Sequence, residues 1–279
     1  MATETTNTTE WIEKARHVPE GHTIHRLARD HRRDFVGQEL RVSSPQGRFA
    51  SEACKLDRDR LLGTDAWGKH LFYHWESGRI VHVHLGLYGK FRKHQSPPPE
   101  PRGAVRMRVV GERKTFDLIG PTCCELISES DAQKIIDRLG QDPLRDDADP
   151  EVVWNRISRS RAPIGTLLLN QSIIAGVGNV FRADALFDQG IHPERPGREL
   201  SREEFDGLWQ RLCEFLAIGV RYNRIITADP ETVGRTRGRM RKGERVLVYS
   251  KSTCPECESA IDIWDLGNRR MYACPECQS

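Results

Sequence analysis

The sequence lacks any run of about 18 apolar residues, the length at which a segment becomes a candidate membrane-spanning helix. Residues 1–17 lack the apolar central region of a secretion signal, and their three glutamates do not suit a transit peptide. The net charge is only +3 although 30% of the residues are charged, so the distribution of charge matters more than its sum. These absences predict a protein without a membrane span that stays in the cytoplasm.

The order of patterns along the chain predicts a multidomain α+β protein. A chain of 279 residues should hold about two compact units. Residues 1–18 are polar and rich in threonine, which predicts a disordered leader. Residues 19–140 open with a helical pattern from Glu20 and continue as short strands, such as His70–Trp75 and Ile80–Leu85. Short strands at this spacing favour a β-sandwich or barrel.

The second half of the chain has helical periodicity. Residues 141–149 are polar and acidic, which predicts a linker between two domains. Within 150–240 the apolar spacing predicts a helical domain, with helices at 151–158, 163–174, 180–189 and 202–222. The last helix opens with Ser201-x-x-Glu204, the pattern of a capping box. Residues 241–279 form a separate segment that contains cysteine pairs.

Two Cys-x-x-Cys pairs lie near the end of the sequence, Cys254 with Cys257 and Cys274 with Cys277. Four thiolates at this spacing suit one tetrahedral Zn²⁺ held between two knuckles. A four-cysteine site leaves no open coordination position, so the metal is predicted to be structural. The other cysteines are predicted to be free thiols because the chain has no export signal.

The residues between the two pairs predict a short hairpin. Ala260–Trp264 and Arg270–Ala273 are expected to pair, with Gly267-Asn268-Arg269 at the tip. Such a hairpin cannot bury a core, so it would depend on the metal for its fold. Arg269 would then point outward, although an arginine in a turn is usually just solvated.

Two other patterns each have an ordinary alternative. His82-x-His84 could supply two metal ligands, but strand alternation explains the spacing without a metal. The segment 175–180, Ala-Gly-Val-Gly-Asn-Val, lies between two predicted helices. Its glycines allow a tight turn, and the amides that open the next helix would point at an anion. Most turns of this kind only join helices.

The stretch Pro19-Glu20-Gly21 has the chemistry of a covalent catalyst if Pro19 is the first residue of the chain. A chain amine titrates near ~8, so much of it is neutral at neutral pH. A neutral secondary amine can attack a sugar carbon and form an imine. A carboxylic acid beside it can donate the proton that opens the sugar ring. The same three residues are also an ordinary helix start.

The motifs together resemble the formamidopyrimidine-DNA glycosylase and endonuclease VIII family of base-excision repair. They are Pro-Glu-Gly-His-Thr from Pro19, Trp67-Gly68-Lys69, Leu87-Tyr88-Gly89, Gly176-Val177-Gly178-Asn179, and Gly267-Asn268-Arg269 within the four-cysteine ribbon. They occur in the family's order and span residues 19–278. The first motif is closer to the actinobacterial endonuclease VIII proteins. The resemblance implies a β-sandwich with an N-terminal helix, then a helix-two-turn-helix domain and a zinc ribbon.

The resemblance also implies roles for individual residues. Pro19 corresponds to the nucleophile that attacks C1′, and Glu20 to the acid that assists ring opening. Lys69, Asn179 and Arg269 correspond to phosphate contacts, and Lys69 and Arg269 are counted with Pro19 and Glu20 in the catalytic site. A plain surface lysine is the alternative for Lys69.

Two apolar residues are implied to fill the space left by a flipped base. Leu87 and Tyr88 match this wedge, and a strand end in the core is their alternative reading. A stacked base hides its glycosidic bond, so the base must leave the helix before it can be excised. Gly86 departs from the pattern, because endonuclease VIII proteins carry a polar wedge residue there.

The implied activity is that of a bifunctional DNA glycosylase and AP lyase that removes oxidised bases, pyrimidines in particular, and cuts by β/δ-elimination. Its partner would be double-stranded DNA with an oxidised base or an abasic site, bound by a monomer at the nucleoid. Residues 1–17 would acylate Pro19 and remove its amine, and Val18 stands where an initiator methionine would be. We therefore expect translation to start at codon 18. Rival hypotheses are a non-catalytic, zinc-dependent binder of damaged DNA with Pro19 blocked, and a zinc-ribbon transcription factor.

Overall fold

The computed structural model describes residues 19–279, so the expectations for residues 1–18 lie outside the described residues. The described chain divides into two compact units. The first consists of Pro19 with residues 31–64 and 70–129, and the second of residues 20–30, 65–69 and 130–279. Lys69 thus groups with the second unit, together with residues 65–68, whereas the residues on either side of this short segment belong to the first. The domain boundaries proposed from the sequence stay predictions.

The first unit contains the strands that the sequence predicts. Helix α2 (Ala50–Leu56) and the end of α1 (Gly21–Phe35), from His31 onward, accompany eight strands. Residues 21–30 of α1 and residues 65–67 at the end of the second strand belong to the second unit. The strands are β1 (Arg41–Ser43), β2 (Leu61–Trp67), β3 (His70–Trp75), β4 (Ile80–His84), β5 (Lys90–Gln95), β6 (Val105–Val110), β7 (Lys114–Ile119) and β8 (Cys123–Ile127). They form two four-stranded sheets, in the orders β1-β6-β7-β5 and β2-β3-β4-β8.

The two sheets face each other across an aromatic core, which confirms the β-sandwich. Tyr73 of β3 stacks on Phe116 of β7, with ring centroids 5.8 Å apart. His31 of α1 stacks on the same phenylalanine at 4.5 Å, and its Nδ1 lies 2.8 Å from the Tyr73 hydroxyl. Burial of these rings stabilises this layer, because removal of apolar area from water favours folding.

Strand β4 departs from simple alternation. The sequence pattern puts Val81 and Val83 on a buried face and His82 on the opposite, polar face. His82 is in fact only 4% exposed, because its ring stacks on Phe72 at 5.2 Å and approaches His70 at 5.1 Å. Both faces of this strand are therefore covered near its middle.

The second unit is helical, with one small hairpin. Its elements after residue 128 are α3 (Glu129–Ile136), α4 (Pro150–Ile157), α5 (Ile164–Leu169), α6 (Asn179–Asp188), α7 (Arg202–Tyr222), α8 (Pro230–Val233), β9 (Asp262–Leu266) and β10 (Arg269–Ala273). Apolar side chains from α4 to α7 and from the hairpin make one core. No helix in the described part of the chain is long and apolar enough to cross a bilayer.

Local side-chain hydrogen bonds fix some of the helix ends in this unit. The capping box of α7 is present, since the Ser201 side chain accepts from the Glu204 amide and Glu204 accepts from the Ser201 amide. Helix α5 ends five residues earlier than its apolar spacing predicts. Asn170 is extended there, and its side-chain oxygen accepts from the Ser172 amide, which competes with further helix.

Candidate functional site

Glu20 lies at the centre of the candidate site, in the second unit. The residue precedes α1 and is 1% exposed. Its carboxylate accepts from the backbone amides of Gly178 and Val180, each at 3.1 Å. These amides open α6, so the turn that the sequence predicts to face an anion faces this carboxylate. Burial raises the pKa of Glu20 to about 7, against the opposing effects of Lys69 and the backbone amides. The group can therefore hold or release a proton near neutral pH.

Gly178 is required by the position of Glu20. A Cβ built at Gly178 would lie 2.2 Å from Cδ of Glu20, far inside contact distance. Gly176 has a φ of +93°, which favours glycine, and its carbonyl accepts from the Gly21 amide at 2.8 Å. The glycines of this turn thus let the start of α1 approach the start of α6.

Lys69 contacts the turn that also binds Glu20. Its Nζ donates to the Val177 carbonyl at 2.8 Å. Burial lowers the pKa of Lys69, as does Arg269, whereas Glu20 opposes this by raising it. Lys69, Glu20 and Arg269 are therefore close enough to interact through their charges. The plain surface lysine, the alternative reading, does not describe this half-buried side chain.

Asp142 fixes the turn that carries Lys69. This residue is 1% exposed, and its Oδ2 accepts from the Gly68 amide at 2.6 Å and lies 2.7 Å from Nε2 of His25. Its Oδ1 accepts from the Leu144 amide. The acidic segment that the sequence predicts to be a linker thus contributes a buried anchor between α1 and the Lys69 turn.

Asn179 is the first residue of α6 and contacts the C-terminal hairpin. Its side-chain amide donates to the Arg270 carbonyl at 2.8 Å, and its side-chain oxygen accepts from Arg182 at 2.6 Å. Arg182 is fully buried and also donates to the Leu266 carbonyl at 2.9 Å. These bonds hold both ends of the hairpin turn against α6.

Arg269 lies at that turn and is exposed. Gly267 and Asn268 both have positive φ, 64° and 59°, which matches a two-residue type I′ turn. The tip therefore comprises two residues, and Arg269 begins β10 paired with Leu266, which corrects the predicted three-residue tip. The first hairpin strand is Asp262–Leu266 and not Ala260–Trp264, because the two-residue turn fixes the register.

The four cysteines of the two Cys-x-x-Cys pairs converge. The Sγ atoms of Cys254, Cys257, Cys274 and Cys277 all lie within 4.8 Å of one another. The distance is 3.8 Å between Cys254 and Cys277 and 3.4 Å between Cys257 and Cys274. A tetrahedral zinc with Zn–S bonds of about 2.3 Å needs sulfur atoms about 3.8 Å apart. The donor set therefore fits Zn²⁺, and none of the described cysteines is in a disulfide.

Leu87 and Tyr88 lie in the first unit, in the turn between β4 and β5. They are 42% and 74% exposed, so the reading as a strand end in the core is wrong. Gly86 has a φ of +64°, and a Cβ there would lie 1.8 Å from Oγ1 of Thr122. A side chain at position 86 would therefore force this tight turn to rearrange.

Several charged residues that the structure buries were not predicted from the sequence. They are Asp142, Arg182 and Asp184, the last of which accepts from the amides of Leu247, Val248 and Tyr249. One signal was available for two of them, because Arg182 and Asp184 interrupt an otherwise apolar helix. Such residues are seldom buried without a partner.

Two family models cover most of the chain. The formamidopyrimidine-DNA glycosylase N-terminal domain matches residues 18–117, and the formamidopyrimidine-DNA glycosylase H2TH domain matches residues 139–230. "Endonuclease 8 1" of Mycobacterium tuberculosis is 46% identical over 268 residues, which cover 94% of this chain and 100% of that protein. The "Formamidopyrimidine-DNA glycosylase" of Thermomicrobium roseum is 28% identical over 253 residues, 81% of this chain and 84% of that protein.

Solved structures share the fold. A Lactococcus lactis Fpg in complex with DNA that contains an abasic site aligns with a TM-score of 0.78 at 20% identity, over 93% of this chain and 99% of that one. A complex of the same protein with THF-DNA and an inhibitor also gives 0.78, at 21% identity, over 94% and 100% of the two chains. The two family domains, the Mycobacterium relative and the fold agree: this chain belongs to the formamidopyrimidine-DNA glycosylase and endonuclease VIII family.

Proposed function

We propose that the protein is a bifunctional DNA glycosylase and AP lyase of base-excision repair, with Pro19 as nucleophile and Glu20 as general acid. The observation that carries the proposal is the buried carboxyl of Glu20, which directly follows Pro19 and has a pKa raised by burial to about 7. An acid of this pKa keeps a proton at neutral pH and can still give it up.

The first stage replaces the base by the proline. In a chain that begins at Pro19, the proline nitrogen is a free secondary amine. It bonds to C1′ of the damaged nucleotide while the glycosidic bond breaks, and the base leaves with the proton of that amine. The C1′–O4′ bond then opens as Glu20 gives its proton to O4′. The result is an iminium between Pro19 and C1′. Glu20 is held for this step by the Gly178 and Val180 amides.

The second stage cuts the strand. The iminium acidifies the C2′ protons, so loss of one of them expels the 3′ phosphate by β-elimination. A second elimination releases the 5′ phosphate. Hydrolysis of the imine returns the free amine of Pro19. Substitution, elimination and hydrolysis leave the overall oxidation state of the substrate unchanged, so the reaction needs no redox cofactor.

DNA phosphates are proposed to contact Lys69, Asn179 and Arg269. These residues belong to one unit, and hydrogen bonds link Lys69 to the turn before α6 and Asn179 to the hairpin. Cationic side chains at such positions neutralise phosphates and release counterions. The Asn179 side-chain amide already donates one hydrogen bond to the Arg270 carbonyl. A phosphate would either accept from the second N–H of this amide or displace the carbonyl.

Leu87 and Tyr88 are proposed to enter the helix when the base flips out. Both are apolar, exposed and adjacent in a tight turn. Inserting such residues replaces part of the stacking that the flipped base loses. Their exposure supports this role, since large apolar side chains at a turn otherwise gain stability by burial.

One Zn²⁺ is proposed to be held by Cys254, Cys257, Cys274 and Cys277. The ion would fix the shape of the hairpin that carries Arg269. With four protein ligands it would have no open position at which to bind a reactant. We further propose that the enzyme acts as a monomer on double-stranded DNA at the nucleoid, and that it prefers oxidised pyrimidines.

A lesion panel tests the proposed function. Protein whose chain begins at Pro19 would be mixed in excess with duplexes that carry an oxidised pyrimidine, an oxidised purine, an abasic site or no lesion. We expect excision and strand cleavage with the first, cleavage of the abasic duplex, and none with the undamaged one. Faster excision of the oxidised purine would overturn the proposed lesion class. Binding to all damaged duplexes without excision or cleavage would overturn the enzyme assignment in favour of a damaged-DNA binder.

Gly178→Ala should damage catalysis without damaging DNA binding. The added Cβ would overlap Cδ of Glu20, so the carboxyl must move away from its amide donors. A displacement of this kind can lower a rate by about 100-fold. Gly243→Ala is the matched control, because a Cβ there meets nothing within 4 Å. Single-turnover excision rates measure the effect, and equal rates for the two variants would contradict the assigned position of Glu20.

A further inference from the structure

Three different metal-ligating side chains meet on the first unit, apart from the site described above. They are His82 of β4 and Cys123 and Glu125 of β8. Nδ1 of His82 lies 3.4 Å from Sγ of Cys123 and 3.4 Å from Oε1 of Glu125. The Cys123 thiol lies 2.7 Å from the same Oε1. A nitrogen, a sulfur and an oxygen donor thus surround one point.

The strand register explains why they meet. In the antiparallel pair of β4 and β8, His82 lies directly opposite Glu125, and His84 lies opposite Cys123. Residues two apart in a strand share a face, so Cys123 and Glu125 are on one side of β8. Cys124 lies between them and points to the other side. The pattern His82-x-His84 offers two histidines of one strand as ligands. The structure instead groups His82 with two residues of the neighbouring strand, and His84 is not in the cluster.

The distances suit a tetrahedral ion. With bonds of about 2.0–2.1 Å to nitrogen and oxygen and about 2.3 Å to sulfur, ligand atoms lie about 3.3–3.6 Å apart. The two distances from His82, each 3.4 Å, lie within this range. The Cys123–Glu125 distance is shorter, but the Glu125 side chain is 57% exposed and can rotate outward without disturbing the core.

His70 orients the buried histidine. Its Nδ1 lies 2.8 Å from Nε2 of His82. When Nε2 of His82 carries the proton and donates it to His70, Nδ1 of His82 has its lone pair directed at Cys123 and Glu125. Metal-bound histidines ordinarily make a hydrogen bond of this kind through their second nitrogen.

We propose that His82, Cys123 and Glu125 form a second metal site, for a borderline divalent cation such as Zn²⁺ or Co²⁺. Imidazole, thiolate and carboxylate are a mixed set that such ions accept, whereas Mg²⁺ and Ca²⁺ prefer oxygen ligands alone. The three ligands leave a fourth position for water, unlike the four-cysteine cluster. Because the ligands come from two strands, the ion would tie β8, at the edge of its sheet, to β4.

Cobalt added to protein that was loaded with one equivalent of zinc tests the site. Native mass spectrometry counts the metals, and the near-ultraviolet absorption of a cobalt–thiolate bond reports the ligand. We expect one cobalt in addition to one zinc, with a thiolate band, in the wild-type chain and in Cys124→Ser. Cys123→Ser should lose the band. Glu125→Gln, at an exposed position, should bind cobalt at least about tenfold more weakly, the loss typical of even an outer partner of a metal site.

Three outcomes would overturn the proposal. One is that the wild-type chain takes up no second metal. Another is a thiolate band that persists in Cys123→Ser, because that band would come from cobalt at the four-cysteine cluster. The third is cobalt affinity in Glu125→Gln equal to that of the wild-type chain. Circular dichroism of each variant shows whether it is folded. If Cys123→Ser fails to fold, Glu125→Gln still tests the site, because its substitution is at an exposed position.

Discussion

Glu20→Gln is expected to lower the rate of base excision by about 10²–10⁴-fold, the contribution typical of a positioned acid or base. The glutamine side chain is nearly the same size and can still accept a hydrogen bond from an α6 amide. It has no acidic proton to give to O4′. We therefore expect DNA binding to be retained while excision of an oxidised base fails.

The pH dependence of the wild-type rate should identify the same group. The active form of Glu20 is protonated, and burial raises its pKa to about 7, so that form becomes tenfold rarer with each pH unit above this value. The active form of Pro19 is the neutral amine, which becomes rarer below ~8. The rate should peak between these values, and the alkaline decline should be absent in Glu20→Gln.

Single-turnover rates across the pH range, with binding measured by anisotropy, check this expectation. Glu112→Gln is the matched control, because Glu112 is an exposed carboxyl at the turn between β6 and β7. If Glu20→Gln excised bases at the rate of Glu112→Gln, with the same pH profile, Glu20 would not be the acid.

Cys274→Ser is expected to remove the zinc, unfold the hairpin and abolish most cleavage. Binding of structural zinc supplies about 10–16 kcal/mol in small zinc domains, more than a hairpin of this size gains from burial. Arg269 begins β10, five residues before Cys274, so its position depends on the same fold. Loss of one phosphate contact should also reduce the salt dependence of binding, with a slope smaller by about 0.9.

Metal analysis, DNA affinity at several salt concentrations and cleavage rates measure this effect. Cys54→Ser is the control, because Cys54 is an exposed thiol outside the cluster. Arg269→Ala separates the two contributions: it should reduce the salt slope while the zinc content stays at one per chain. A Cys274→Ser protein that keeps zinc and cleaves DNA like Cys54→Ser would contradict a structural role for the ion.

Features governed by local chemistry could be predicted from the sequence. The helix α7 begins where Ser201 and Glu204 make their capping box, and β3 spans His70–Trp75 as its composition predicts. The four cysteines meet because their spacing already suits one tetrahedral ion. In each case the partners are near in sequence, so few alternatives compete.

The support of the site could not be predicted, because its partners are distant in sequence. Glu20 bonds to amides about 160 positions away, and Asp142 bonds to Gly68 from a segment whose composition indicates a linker. Arg182 holds the hairpin by donating to backbone carbonyls. Every residue has a carbonyl, so the residue types of the hairpin do not indicate this contact. Such contacts depend on tertiary packing, and periodicity carries no information about them.

Borohydride trapping on an abasic-site duplex tests the central claim, that Pro19 forms the imine. Borohydride reduces the imine to a stable covalent bond between protein and DNA. Two proteins would be compared, one that begins at Met1 and one that begins at Pro19. We predict a covalent complex with the second and none with the first, and the cross-link should map to Pro19. A cross-link of equal yield in both proteins, or none in either while both bind DNA, would contradict the account.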